Sequence, residues 1–124
     1  MRIILADHHA QSLWALKTIL NEQPEFDLVG AVEDAHNLLK LADKHTADLF
    51  LMDRTLPGSL IEDLIASLHA FVPRPLVVVM SSESEYSRVV LKAGADAFVS
   101  KGDEPSWLLQ TLLKFEKRMR NEDK

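Results

Sequence analysis

Short apolar runs, each too brief for a buried helix and each closed by a polar side chain, recur along this chain and constrain its fold more than any other feature. Ile3-Ile4-Leu5-Ala6 stops at Asp7, and Leu49-Phe50-Leu51-Met52 stops at Asp53. Leu76-Val77-Val78-Val79-Met80 stops at Ser81, and Ala97-Phe98-Val99-Ser100 stops at Lys101. A strand that is apolar at every position must be covered on both faces, which is the situation of a parallel strand between two layers of helices. In such a sheet the C-terminal ends of the strands share one edge, and ligands bind there. Two carboxylates, a hydroxyl and an ammonium are thereby expected to meet.

The segments between the runs read as helices. His9 to Glu22 carries Leu13, Leu16 and Leu20 at helical spacing, with Trp14 and Ile19 widening the apolar face, and Pro24 closes it. Leu28-Val29-Gly30-Ala31-Val32 is a further strand, and Asp34 is an N-cap for a helix using Ala35, Leu38, Leu39, Leu41 and Ala42. Pro57-Gly58 signals a turn, and Ser59-Leu60-Ile61-Glu62 has the pattern of a capping box. A weaker helix over Ser84 to Ala93 ends at Gly94, a natural residue for a helix end. The last helix starts near Pro105, which suits a first helical position, and is expected to bury Trp107, Leu108, Leu109, Leu112 and Leu113. Trp14 and Trp107 are both expected to be packing residues. Five strands alternating with five helices predict an α/β sandwich.

Composition narrows the function classes. A chain of 124 residues makes one domain, expected over residues 1–120 with a charged tail or linker start over 121–124. It has no cysteine, which removes disulfides and thiolate chemistry and suits a reducing, cytoplasmic setting. No apolar stretch approaches the roughly 20 residues that cross a bilayer, and the N-terminus enters a strand at once. Net charge is −5 with no basic stripe, so the chain is expected to bind neither membrane nor nucleic acid directly.

Three stretches carry a resemblance. They are Ala6-Asp7-His8-His9-Ala10, Met52-Asp53-Arg54-Thr55-Leu56-Pro57-Gly58, and Lys92-Ala93-Gly94-Ala95-Asp96-Ala97-Phe98-Val99-Ser100-Lys101-Gly102-Asp103. Together with Ser81 they make the chain resemble, over nearly its whole length, the receiver (phosphoacceptor) domain of two-component response regulators, nearest the NarL/LuxR type. The resemblance implies a flavodoxin-like receiver fold, a five-stranded parallel sheet in the order 2-1-3-4-5 with helices on both faces. It implies Asp53 as phosphoacceptor, Lys101 and Ser81 as groups that meet the phosphoryl oxygens, and Phe98 as an aromatic switch. It further implies Mg²⁺ held by Asp7, Asp53 and the backbone carbonyl of Thr55. The partner implied is a sensor histidine kinase or phosphotransfer protein. A homodimer is implied through the fourth helix, fifth strand and fifth helix, where Tyr86, Val89, Val90 and Trp107 would lie. Such a domain is not an enzyme beyond its own phosphoryl acceptance and slow autodephosphorylation, and it signals through a conformational switch.

The chain also departs from that family. His8 stands where a second acidic residue usually serves as direct metal ligand, and imidazole is a poor ligand for Mg²⁺. Mg²⁺ affinity is therefore expected to be weak, and the alternative function is a degenerate receiver acting as a phosphorylation-independent interaction module. The Ser81–Lys101 interval is about two residues short of the family norm. Two other classes fit worse. A haloacid-dehalogenase-type phosphatase would place a second Asp where Thr55 stands, and a flavin-binding domain would not put Asp7-His8-His9 in its phosphate loop.

Overall fold

The computed structural model describes residues 1–122. Strands β1 (Arg2–Ala6), β2 (Asp27–Val32), β3 (Leu49–Asp53), β4 (Leu76–Ser81) and β5 (Ala97–Ser100) alternate with five helices. These are α1 (Ala10–Asn21), α2 (Ala35–Lys44), α3 (Ile61–His69), α4 (Ser87–Lys92) and α5 (Pro105–Glu122). All strand pairs are parallel and the spatial order is β2-β1-β3-β4-β5, as expected from the sequence. Helix α5 continues to Glu122.

The two-residue period of a strand sorts each apolar run between two cores. Ile4, Ala6, Phe50, Met52, Val77 and Val79 face α2, α3 and α4, packing with Leu38, Leu64, Ile65, Leu68 and Val90. Ile3, Leu5, Leu49, Leu51, Val78 and Met80 face the other way, onto Leu20 of α1 and Leu108 and Leu112 of α5. Continuous hydrophobicity in the sequence is thus the signature of a sheet sandwiched on both sides. Each of these strand residues is at most 2% exposed. Truncating one, such as Leu51, would remove contacts that the surrounding layers cannot close over.

Helix ends follow local chemistry, with some exceptions to the expectations. Asp34 caps α2 through its carboxylate, which accepts from the Asn37 N–H at 2.8 Å. Pro105 is the first residue of α5. Gly94 follows α4 with φ of 115°, a conformation that a side chain would strain. The capping box at Ser59 does not form: Leu60 holds the cap position of α3, and the Ser59 hydroxyl donates instead to the Leu60 carbonyl. The helix expected from Ser84 begins as a 3₁₀ turn (Ser84–Tyr86) and becomes α-helical only at Ser87.

Both tryptophans are corrected. Trp14 is 70% exposed and Trp107 62%, so neither packs in a core. On α1, Leu13, Leu16 and Leu20 set the inward face, and Trp14 shares its own side with the exposed Lys17 and Thr18. On α5, Leu108 and Leu112 point inward, and Trp107 lies above half-buried Thr111 and exposed Lys114. Helical phase outweighs hydrophobicity at both positions. Val90, expected on an outer face, is instead fully buried in the core beside α3.

Candidate functional site

Four strands deliver their C-terminal residues to one edge of the sheet, and the ladder extends one residue past most of them to fix the site. The Asp7 N–H donates to the Val32 carbonyl at 3.0 Å, and the Arg54 N–H to the Met80 carbonyl at 2.7 Å. The Lys101 N–H donates to the Ser81 carbonyl at 2.9 Å. The backbones carrying Asp7, Asp53, Ser81 and Lys101 are therefore set by the sheet and not by loop packing. Of the four side chains, Asp7, Asp53 and Ser81 are buried.

Lys101 ties the two carboxylates together. Its Nζ lies 2.6 Å from Asp7 Oδ2 and 2.9 Å from Asp53 Oδ1. Asp7 is wholly buried, and every oxygen it carries is met: Oδ2 also accepts from the Ser12 hydroxyl at 2.6 Å, and Oδ1 accepts from the His9 N–H at 3.0 Å. Burial pushes the Asp7 carboxyl up, but hydrogen bonds from Lys101, Ser12 and His9, with the charge of Lys101, outweigh it and hold its pKa below the ordinary value of 3.8. A buried carboxylate stays ionised because it is paired and fully hydrogen-bonded.

Asp53 is 3% exposed and its Oδ2 accepts from the Thr55 N–H at 3.1 Å and from the Thr55 hydroxyl. Its other oxygen is met by Lys101. A cavity of about 220 Å³ opens over Asp53 and is lined also by Ser81, Thr55, Ser12 and Lys101. An anionic group entering it would meet one ammonium and several hydroxyls.

The sequence-based candidates that converge here are thus Asp7, Asp53, Ser81 and Lys101, with His8 beside them at 3.8 Å from Asp53 Oδ2. Phe98 is not at the cavity; it is half-buried against the core and borders a separate hollow of about 240 Å³ between Ser84, Ser87 and Trp107. His9 stands at the N-cap of α1 with its ring Nδ1 3.1 Å from Asp7 Oδ1. Ser12, the Thr55 side chain and Arg54 escaped the sequence reading. An i+5 hydroxyl and an i+2 hydroxyl have no periodic signature, although Ser or Thr just after a functional Asp is the composition such turns favour.

The donor chemistry fits a divalent cation. Asp7, His8, His9 and Asp53 each offer a ligand atom, all within 4.8 Å of one another. Two carboxylates with two imidazoles suit an ion that accepts nitrogen better than one that prefers oxygen alone.

Comparison with known proteins finds matches over nearly the whole chain. Residues 3–113 match the family model described as the response regulator receiver domain. The chain is 30% identical over 114 residues to the transcriptional regulatory protein DegU of Brevibacillus brevis, covering 90% of this chain and 48% of that protein. It is 30% identical over 112 residues to the nitrate/nitrite response regulator protein NarL of Escherichia coli K12, covering 89% and 52%. The chain therefore spans about half the length of the curated relatives it matches. Among solved structures, the receiver domain of the putative response regulator NarL from Mycobacterium tuberculosis superposes with a TM-score of 0.82 at 23% identity, covering 94% of this chain and 95% of that one. The isolated receiver domain of RcsB from Salmonella enterica serovar Typhimurium, solved with the phosphomimetic BeF₃⁻, gives 0.84 at 24%, covering 94% and 88%. At those identities the two structures speak to the fold alone.

Proposed function

The chain belongs to the response regulator receiver domain family of two-component systems, and on that footing we propose that Asp53 accepts a phosphoryl group from a phosphohistidine on a sensor histidine kinase or phosphotransfer protein. An Asp53 carboxylate oxygen forms the new bond to phosphorus while the phosphorus–nitrogen bond breaks. The departing imidazole keeps the bonding pair and takes up a proton. The observation that carries this reading is the ammonium of Lys101 at 2.6 and 2.9 Å from Asp7 and Asp53, beneath a cavity lined by hydroxyls. Phosphoryl transfer depends chiefly on positioning and neutralisation of the transferring oxygens. Lys101 supplies a fixed cation and Ser81 a hydroxyl hydrogen.

A divalent cation at Asp7, Asp53 and the Thr55 carbonyl, Mg²⁺ by the family resemblance, would supply further positive charge to the phosphoryl oxygens. His8 makes that site weak for Mg²⁺ in our reading. No observation favours the phosphorylation-independent alternative, since the acceptor, the ammonium and the hydroxyl stand together.

Receiver domains are not classical enzymes, and the chemistry proposed is limited to acceptance and slow autodephosphorylation at Asp53. The signal would pass from Ser81 to Phe98, whose ring borders the 240 Å³ hollow. The same hollow leads to the surface of α4 and α5. Val89 at 59% and Trp107 at 62% exposure offer that surface to a second copy. Among the described residues no helix is long and apolar enough to cross a membrane; a cytoplasmic place, and a domain of residues 1–120, complete the proposal.

Acetyl phosphate tests it directly. Intact-mass analysis should show one phosphoryl adduct on the wild type and none on Asp53→Asn, with the adduct mapped to Asp53 after borohydride trapping. Equal labelling of Asp53→Asn would overturn the assignment.

A further inference from the structure

Arg54, next in sequence to the proposed acceptor, makes three contacts that converge on the end of β4 and the segment after it. Its Nε donates to Ser81 Oγ at 3.3 Å, its terminal nitrogen lies 3.9 Å from Glu83 Oε1, and its guanidinium carbon sits 3.6 Å from the centre of the Tyr86 ring. The side chain is only 19% exposed, so these contacts are not those of a waving surface arginine. The Glu83 N–H donates to the same Ser81 oxygen at 3.0 Å.

A serine hydroxyl has one hydrogen to give and two lone pairs to receive. With Arg54 Nε and Glu83 N–H on the lone pairs, the hydrogen is the one part of Ser81 left uncommitted, and Ser81 lines the cavity above Asp53. We propose that Arg54 is a positioning residue: it holds Ser81 as a single-hydrogen donor to the group on Asp53 and links that hydroxyl to Tyr86 at the start of α4. The proposal deepens the phosphoacceptor reading and rests on it. The guanidinium suits the task because its planar fork donates from Nε while its face stacks on an aromatic ring. A lysine at this position keeps the charge and loses both features. Loading of Asp53 then draws Ser81 toward the phosphoryl oxygens, and the pull reaches Tyr86, half-buried against the core, through Arg54.

The test is a double-mutant cycle on acetyl phosphate labelling, in which Asp53 gains the phosphoryl group as the phosphorus–oxygen bond to acetate breaks and acetate departs. Arg54→Ala should slow labelling by roughly fivefold to tenfold, about the worth of one directed hydrogen bond. Arg54→Lys should be equally slow. In a Ser81→Ala background, Arg54→Ala should change the rate by less than about twofold, because its effect runs through Ser81. Full additivity, or restoration of the rate by lysine, would overturn the proposal. A second readout needs no phosphoryl group. Amide exchange of the Glu83 N–H in the unmodified protein should quicken with Arg54→Ala and gain nothing further when that change is added to Ser81→Ala. A wild type that takes no label sinks the phosphoacceptor reading. In that event exchange alone decides whether Arg54 holds Ser81, and an unchanged Glu83 amide refutes it.

Discussion

At the residue scale the site is a balance of charges in a buried place. Among the described residues Lys101 is the sole ammonium between two buried carboxylates, so replacing it leaves both without that counter-charge. Lys101→Met should cost about 3 kcal/mol at neutral pH, as breaking one side of a buried ion pair does. The pH dependence has a definite sign. The Asp7 pKa is depressed by folding, so its contribution is fully present above the unfolded value near 3.8 and is lost as pH falls through the folded value. Urea denaturation at pH 7 and at pH 3 should therefore show the gap between wild type and Lys101→Met narrowing in acid. A gap that is constant with pH would mean that Lys101 contributes by packing alone. His8 carries a separate prediction. It lies 3.8 Å from Asp53, where a carboxylate would add one charge–charge attraction to a bound cation. His8→Asp should tighten Mg²⁺ binding by about tenfold or more in calorimetry, since a gain of about 1.4 kcal/mol is tenfold. Mn²⁺, which accepts an imidazole, should gain less. Equal Mg²⁺ affinities would show that His8 takes no part.

At the element scale, each helix is held by an inward stripe and a few end contacts. Asp34 is the clearest of these: its two carboxylate oxygens accept from the backbone N–H and the side-chain amide of Asn37, at 2.8 and 3.0 Å. Asp34→Ala should lower stability by roughly 1 kcal/mol, read as a lower urea midpoint with an unchanged slope. The cap was legible because Asp before a periodic apolar stripe has a local cause. Ser59 had the same look and failed, because the chain leaving Gly58, at φ of 101°, puts Leu60 and not Ser59 at the start of α3. The tryptophans teach the same lesson from the other side. Their side-chain chemistry favours burial, yet the phase set by Leu13, Leu16 and Leu20, and by Leu108 and Leu112, turns them outward.

At the scale of the whole molecule, the sheet gathers chemistry at one edge and leaves apolar surface on α4 and α5. Val89 and Trp107 are more than half exposed there, and large exposed apolar groups often mark an interface. Sedimentation at high concentration with BeF₃⁻ should show stronger self-association than without it, and Trp107→Ala should abolish the gain. A monomer in every condition would count against this face. By itself the sequence determined the five strands, the burial of β1, β3 and β4 on both sides, and the edge at which Asp7, Asp53, Ser81 and Lys101 would meet. Those follow from local periodicity and from the rule that parallel strands end together. Tertiary structure alone decided that one ammonium reaches both carboxylates, that Val90 turns inward, and that Arg54 reaches Ser81. Lys101 and Asp7 lie 94 positions apart, and Arg54 and Ser81 lie 27 apart. Contacts at such separations depend on strand register and side-chain reach, which no local pattern encodes.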